Sequence, residues 1–154
     1  MTGKFSRREI LATTGAGIAG FAMAGAALPA PARSRKMREA LDKVLGGSPV
    51  EQGGVDLKTP IIAENGGDVP ISVSVDSPMT AENYVRAIHL FAEENPTPIA
   101  GSFYFTPFSG RAWVRLNIRL ANTQRVTAIA EMSDGSFRAA TKDVKVTIGG
   151  CGGG

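Results

Sequence analysis

The sequence predicts an all-β fold: an immunoglobulin-like antiparallel β-sandwich with a short N-terminal helix and a flexible Gly-rich C-terminal arm. Three observations carry that prediction. Apolar and polar residues alternate over short runs such as Ile71-Ser72-Val73-Ser74-Val75, the period of a half-buried strand. Turn-forming clusters, among them Asn65-Gly66-Gly67-Asp68 and Ser133-Asp134-Gly135-Ser136, punctuate these runs, and about six or seven short strands at roughly eight- to twelve-residue spacing suit a sandwich. Nineteen glycines, nine prolines and only 6% aromatic residues argue against a helical bundle.

Residues 1–32 read as an export signal. Arg7 and Arg8 precede an uncharged stretch rich in Gly and Ala over residues 12–28, and Ala30-Pro31-Ala32 offers a small-residue cleavage pattern. Paired arginines, a mildly apolar middle and an A-x-A end are the parts of a twin-arginine signal. The alternative is a membrane anchor, but a span needs about 20 strongly apolar residues, and this stretch is shorter and poor in Leu, Ile and Phe. Cleavage after Ala32 removes the cations Lys4, Arg7 and Arg8 and the anion Glu9, so the net charge falls from +3 to +1. The basic balance of the whole chain is therefore no argument for nucleic acid. The expected location is the periplasm, with no membrane attachment after cleavage. Twin-arginine export moves folded proteins, and with no metal or cofactor site visible it suggests pre-assembly with a partner that has no signal of its own.

Residues 33–148 are the expected sandwich domain. Its helix covers residues 34–45, where Met37, Leu41, Val44 and Leu45 form one stripe and Gly46-Gly47 supplies a stop. That stripe packs either on the domain or on a partner. Strands are expected at residues 71–75, 114–120, 125–132 and 144–148. Residues 84–91 are ambiguous: good helix formers follow a capping-like Thr80, yet Tyr84, Arg86, Ile88 and Leu90 alternate with Val85, Ala87, His89 and Phe91. The all-β surroundings favour strand. Asn95-Pro96-Thr97-Pro98 must end it, since proline lacks an N–H and restricts the residue before it.

The chemistry available to this chain is narrow. One cysteine, Cys151, and one histidine, His89, exclude an internal disulfide and a multi-ligand Cys/His zinc site within the chain, and no metal ligands or cofactor motif are assigned. No GxxxxGK[ST] loop occurs. Residues 149–154 form the expected arm, in which Gly149, Gly150, Gly152 and Gly153 flank Cys151. Glycine adds no packing and loses the most entropy on ordering, so the arm is expected to stay off the domain. A thiol on so bare a tether suits a carrier that visits several active sites. Two other readings stand beside it: a single exported cysteine that forms an intermolecular disulfide in an immunoglobulin-like binding module, and an idle frayed end. A cysteine hydrolase would need His89 as its base; on an alternating strand that residue reads more simply as a core or partly exposed histidine. No catalytic residue is assigned.

The twin-arginine leader, Ala63-Glu64-Asn65-Gly66 with Val69-Pro70, Asn95-Pro96-Thr97-Pro98, the run over residues 115–126, Asp134-Gly135 and the terminal Gly149-Gly150-Cys151-Gly152-Gly153 together resemble the SoxY family. The resemblance covers residues 37–154. It implies an immunoglobulin-like subunit that pairs with a second such protein, SoxZ, and holds intermediates of thiosulfate oxidation covalently at Cys151. It also implies three enzymes that act on the conjugate: a haem-containing thiosulfate-coupling enzyme, a dimanganese sulfate hydrolase and, where present, a sulfur dehydrogenase. The carrier itself would need no cofactor and perform no catalysis. This chain departs from the pattern in carrying a third glycine, Gly154, after the motif.

Overall fold

A computed structural model describes residues 34–150 of the chain. The leader, with Arg7 and Arg8, and the terminal Cys151, Gly152, Gly153 and Gly154 lie outside the described residues. The described body opens with helix α1 (Arg35–Leu45). The Ser34 side chain accepts the Met37 amide at its N-terminus, and Gly46, at φ 57°, closes its C-terminus in the left-handed conformation that glycine favours.

Nine strands follow: β1 (Val50–Gln52), β2 (Val55–Lys58), β3 (Ile62–Asn65), β4 (Val69–Val75), β5 (Val85–Ala92), β6 (Ile99–Tyr104), β7 (Ala112–Ile118), β8 (Gln124–Met132) and β9 (Phe137–Ile148). The larger sheet has the order β1-β9-β8-β5-β6, with β3 also pairing to β9; the smaller has the order β2-β4-β7. The expected sandwich is therefore present. Its pairing is antiparallel except where β1 and β3 run parallel to β9 and share one edge of it.

Alternation explains the core. Ile71 and Val73 of β4, Val114 of β7 and Leu57 of β2 face Ile88 and Leu90 of β5 and Ala128 of β8 in the inter-sheet cluster. The opposite face of β5 and β8, through Phe91 and Ile129, joins Phe137 and Ala139 of β9 beneath Met37, Ala40 and Leu41 of α1. The helix stripe is thus spent on the domain's own sheet. Because both faces of β5 are covered, seven of its eight residues are buried and its sequence lacks clean alternation. That is why residues 84–91 are ambiguous as sequence yet strand in the structure.

Two details differ from expectation. There are nine strands, not six or seven, because β1 and β3 are three- and four-residue pieces whose pairing with the rim of β9 needs little apolar content. The last strand begins at Phe137, well before residue 144, since its first half pairs with β8 through small residues such as Ala139 and Ala140. The turn between β8 and β9 is as expected: Asp134 accepts both the amide (2.9 Å) and the hydroxyl (2.7 Å) of Ser136, and Gly135 has φ 84°. The hydroxyl bond, with the amide bond behind it, holds the exposed Asp134 carboxyl below its usual range.

Candidate functional site

β9 delivers the chain to the base of the arm, and three other segments receive it there. Thr123 Oγ1 accepts the Val146 amide at 2.9 Å and donates to the Val146 carbonyl at 3.4 Å. Two residues on, the Ile148 carbonyl accepts the Gly66 amide at 2.7 Å, and the Gly66 carbonyl accepts the Leu120 amide at 2.7 Å. The circuit closes when the Leu120 carbonyl accepts the Gly150 amide at 2.9 Å. The loop after β3, the segment after β7 and the tail of β9 therefore satisfy one another's backbone groups, which would otherwise need water.

The receiving loops are themselves braced. The Asn65 side chain accepts the Gly67 amide, and Asp68 accepts the Asn117 side chain, which fixes the turn that carries Gly66. Across from it, Leu120 is fully buried. Asn95 accepts the Ala121 amide at 2.9 Å and donates to the Arg119 carbonyl at 2.8 Å. Buried Gln124 donates to Asn95 and to the Asn122 carbonyl, and accepts the Glu94 amide. Beside this network Arg125 makes a two-pronged ion pair with buried Glu93, at 2.7 and 3.0 Å.

Gly149 and Gly150, expected in the freely swinging arm, are thus seated on the domain. The entropy argument that keeps a glycine run loose is overridden where two backbones, having no side chains between them, come within hydrogen-bonding reach. Gly66, Leu120, Thr123, Asn95 and Gln124 are the residues that the sequence does not single out for this purpose. Asn65-Gly66-Gly67-Asp68 reads locally as a turn and Asn95 as the end of a strand, and the family pattern in which they also stand assigns neither a contact with the arm. A glycine needed for close approach leaves the same mark in a sequence as one needed for a turn.

His89 is buried on β5, and its Nδ1 lies 2.8 Å from Ser102 Oγ. Its Nε2 has no hydrogen-bond partner and stands 3.9 Å from Glu131, which also meets Arg86 at 3.3 Å. Burial pushes the imidazole below its ordinary value, with Glu131 opposing in part. His89 is level with Ile129 of β8, which is level with Ala139 of β9. From Ala139 to Ile148 the strand covers about 30 Å at ~3.3 Å per residue. A tether of three links from Ile148 to Cys151 reaches back about 10 Å, so His89 is out of range as a base for Cys151 in the same chain.

Among the described residues no three His, Cys, Asp or Glu side chains are grouped to hold a metal ion, and no helix is long and apolar enough to cross a membrane. A surface groove of about 560 Å³, lined by Gly54–Asp56, Ser74–Ser77 and Arg111–Ala112, lies at the Val75 end of β4. The arm's base lies beyond the other end of that strand, where Gly66 precedes Val69, so the groove is not part of the site.

Comparison with known proteins bears on this geometry. The family model described as "Sulfur oxidation protein SoxY" matches residues 41–151, so the match ends on the cysteine. Among solved structures, the sulfur carrier protein SoxY from Chlorobium limicola f thiosulfatophilum is similar at 30% identity and TM-score 0.62, covering 73% of this chain and 97% of that one. A superoxide reductase (neelaredoxin) from Ignicoccus hospitalis is similar at 23% identity and TM-score 0.55, covering 73% and 90%. A putative superoxide reductase from Thermotoga maritima follows at 17% identity and TM-score 0.51, covering 62% and 86%. The two reductases share the fold alone. Among curated proteins nothing matches.

Proposed function

The chain belongs to the SoxY family of sulfur oxidation proteins, and from that premise we propose that it carries the intermediates of thiosulfate oxidation covalently on Cys151 and offers them to separate enzymes. The observation that carries this reading is the position of the chain's single thiol. It is the last residue of the family match and follows directly on Gly150, whose backbone is held by the domain.

The chemistry follows from the thiol. A free cysteine titrates near 8.5, so only a few per cent is thiolate at neutral pH, and the enzyme that loads it must complete its activation. Joining the Cys151 sulfur to the sulfane sulfur of the thiosulfate dianion makes one S–S bond, releases the thiol proton and gives up two electrons, for which the haem-containing coupling enzyme would supply the acceptor. Water then cleaves the bond between the sulfane and sulfonate sulfurs, releasing sulfate and leaving a persulfide on Cys151. A sulfur dehydrogenase, where the host has one, oxidises that remaining sulfur. The carrier's contribution is to hold the sulfur without side chains around it: Gly152 and Gly153 leave the conjugate accessible in a narrow cleft.

The reading includes export by the twin-arginine route through Arg7 and Arg8, a periplasmic location, and a SoxZ-like partner that travels with the folded chain. The direct test uses sulfur-radiolabelled thiosulfate and the coupling enzyme. Label is expected on the wild-type chain, removable by reductant, and absent from Cys151→Ser at an unchanged unfolding midpoint. Equal labelling of Cys151→Ser would overturn the assignment.

A further inference from the structure

Glycine is required at a position for one of two reasons: a backbone angle that other residues resist, or an approach too close for a Cβ. At the base of the arm the two can be separated. Gly46, Gly47, Gly53, Gly54, Gly110 and Gly135 have positive φ; Gly66, Gly149 and Gly150 do not. Their need is steric. A Cβ on Gly66 would overlap the Leu120 carbonyl and stand 2.8 Å from both the Gly150 nitrogen and Val146 Cγ1. A Cβ on Gly149 would overlap the Ala121 carbonyl, and one on Gly150 would overlap the Gly66 carbonyl and the Gly67 nitrogen. Apart from Val146 Cγ1, these obstacles are backbone atoms, which have no rotamer to adopt in response.

We propose that Gly66, Gly149 and Gly150 form a backbone clamp that fixes the root of the carrier arm and places its pivot at the Gly150–Cys151 link, with Asn95 as the residue that positions the opposing jaw. Asn95 qualifies because both polar ends of its side chain are spent on the segment over residues 119–121 that carries the Leu120 carbonyl. The clamp stands on the hydrogen bonds and steric limits above; its meaning for cargo rests on the carrier reading of Cys151.

The consequence is a short lever. An arm free from Ile148 would let the Cys151 Cα range over about 10 Å, whereas a clamp through Gly150 confines it to about 3.8 Å from the Gly150 Cα. Cargo is then presented at one place, beside the exposed Glu64, Asn65, Asn122 and Thr123, and each processing enzyme must approach that end of the sandwich. The glycines before the thiol serve close packing, and those after it serve access.

Amide hydrogen exchange, resolved by residue on the full chain, tests the clamp. In the wild type the amides of Gly66, Leu120 and Gly150 are expected to exchange at least about tenfold more slowly than those of Gly152 and Gly153. Gly66→Ala should bring Gly150 to within about twofold of Gly153 while the β5 and β8 amides stay protected. Asn95→Ala should do so in part, and it makes the same measurement if Gly66→Ala does not fold. A nitroxide on Cys151, the single thiol, should gain mobility in both variants, a change that general loss of stability does not produce while the sheets remain protected. A wild-type Gly150 amide as fast as that of Gly153, or a label whose motion neither variant alters, would overturn the clamp. Neither result touches the carrier reading, which fails only if Cys151 takes up no sulfur.

Discussion

Cys151 and its neighbours divide into two kinds of glycine, and substitution separates them. Gly152→Val adds bulk beyond the clamp, so the unfolding free energy should stay within about 0.5 kcal/mol of wild type while release of sulfate from the loaded carrier falls. Gly150→Val drives a side chain against the Gly66 carbonyl and should cost about 1–3 kcal/mol of stability besides impairing turnover. Urea unfolding alongside a sulfate-release assay separates the two effects; identical behaviour of both variants would contradict the division. His89 makes a different prediction. Its folded value lies below the ordinary 6.5 because burial disfavours the imidazolium, so the unfolded chain binds more protons just below that pH. Its contribution to stability is complete above pH 6.5 and declines as the pH falls through the window beneath. His89→Gln should flatten the slope of unfolding free energy just below pH 6.5 and leave loading of Cys151 unchanged. A lost or slowed loading step would return His89 to the chemistry.

Helix α1 is the element whose removal should matter most for its size, because it covers Phe91, Ile129, Phe137 and Ala139 on the outer face of the larger sheet. Met37 is fully buried there, and Met37→Ala is expected to cost about 2–5 kcal/mol in urea unfolding. A loss below about 0.5 kcal/mol, the size expected of an exposed site, would mean that the stripe is not seated as described. This helix was legible in the sequence through the spacing of Met37, Leu41, Val44 and Leu45, and β4 and β7 through strict alternation. β5 was harder because coverage on both faces erases alternation. β1 and β3 were not legible, since a few residues paired to the rim of β9 carry little apolar signal. The clamp was hidden for a related reason: Gly66 meets Gly150 across some eighty residues of chain, and backbone-to-backbone contact depends on no side-chain pattern.

At the scale of the whole molecule, the described sandwich contains no cysteine. It spends its apolar residues on two clusters and braces Asn95 with buried Gln124, and in the sequence the single thiol follows directly on Gly150, whose amide the Leu120 carbonyl holds. Removal of the leader would bring the net charge from +3 to +1, so long-range attraction contributes little, and partners must recognise local surface and the charge of the conjugate. The most direct test of the carrier account is the intact mass of the exported protein, recovered from cells oxidising thiosulfate and read with and without reductant. The account predicts a chain that begins after residue 32 and bears sulfur-containing additions confined to Cys151, which reductant removes to leave the bare monomer. A doubled mass that collapses to the unmodified monomer, or a thiol that stays free while thiosulfate is consumed, would contradict it.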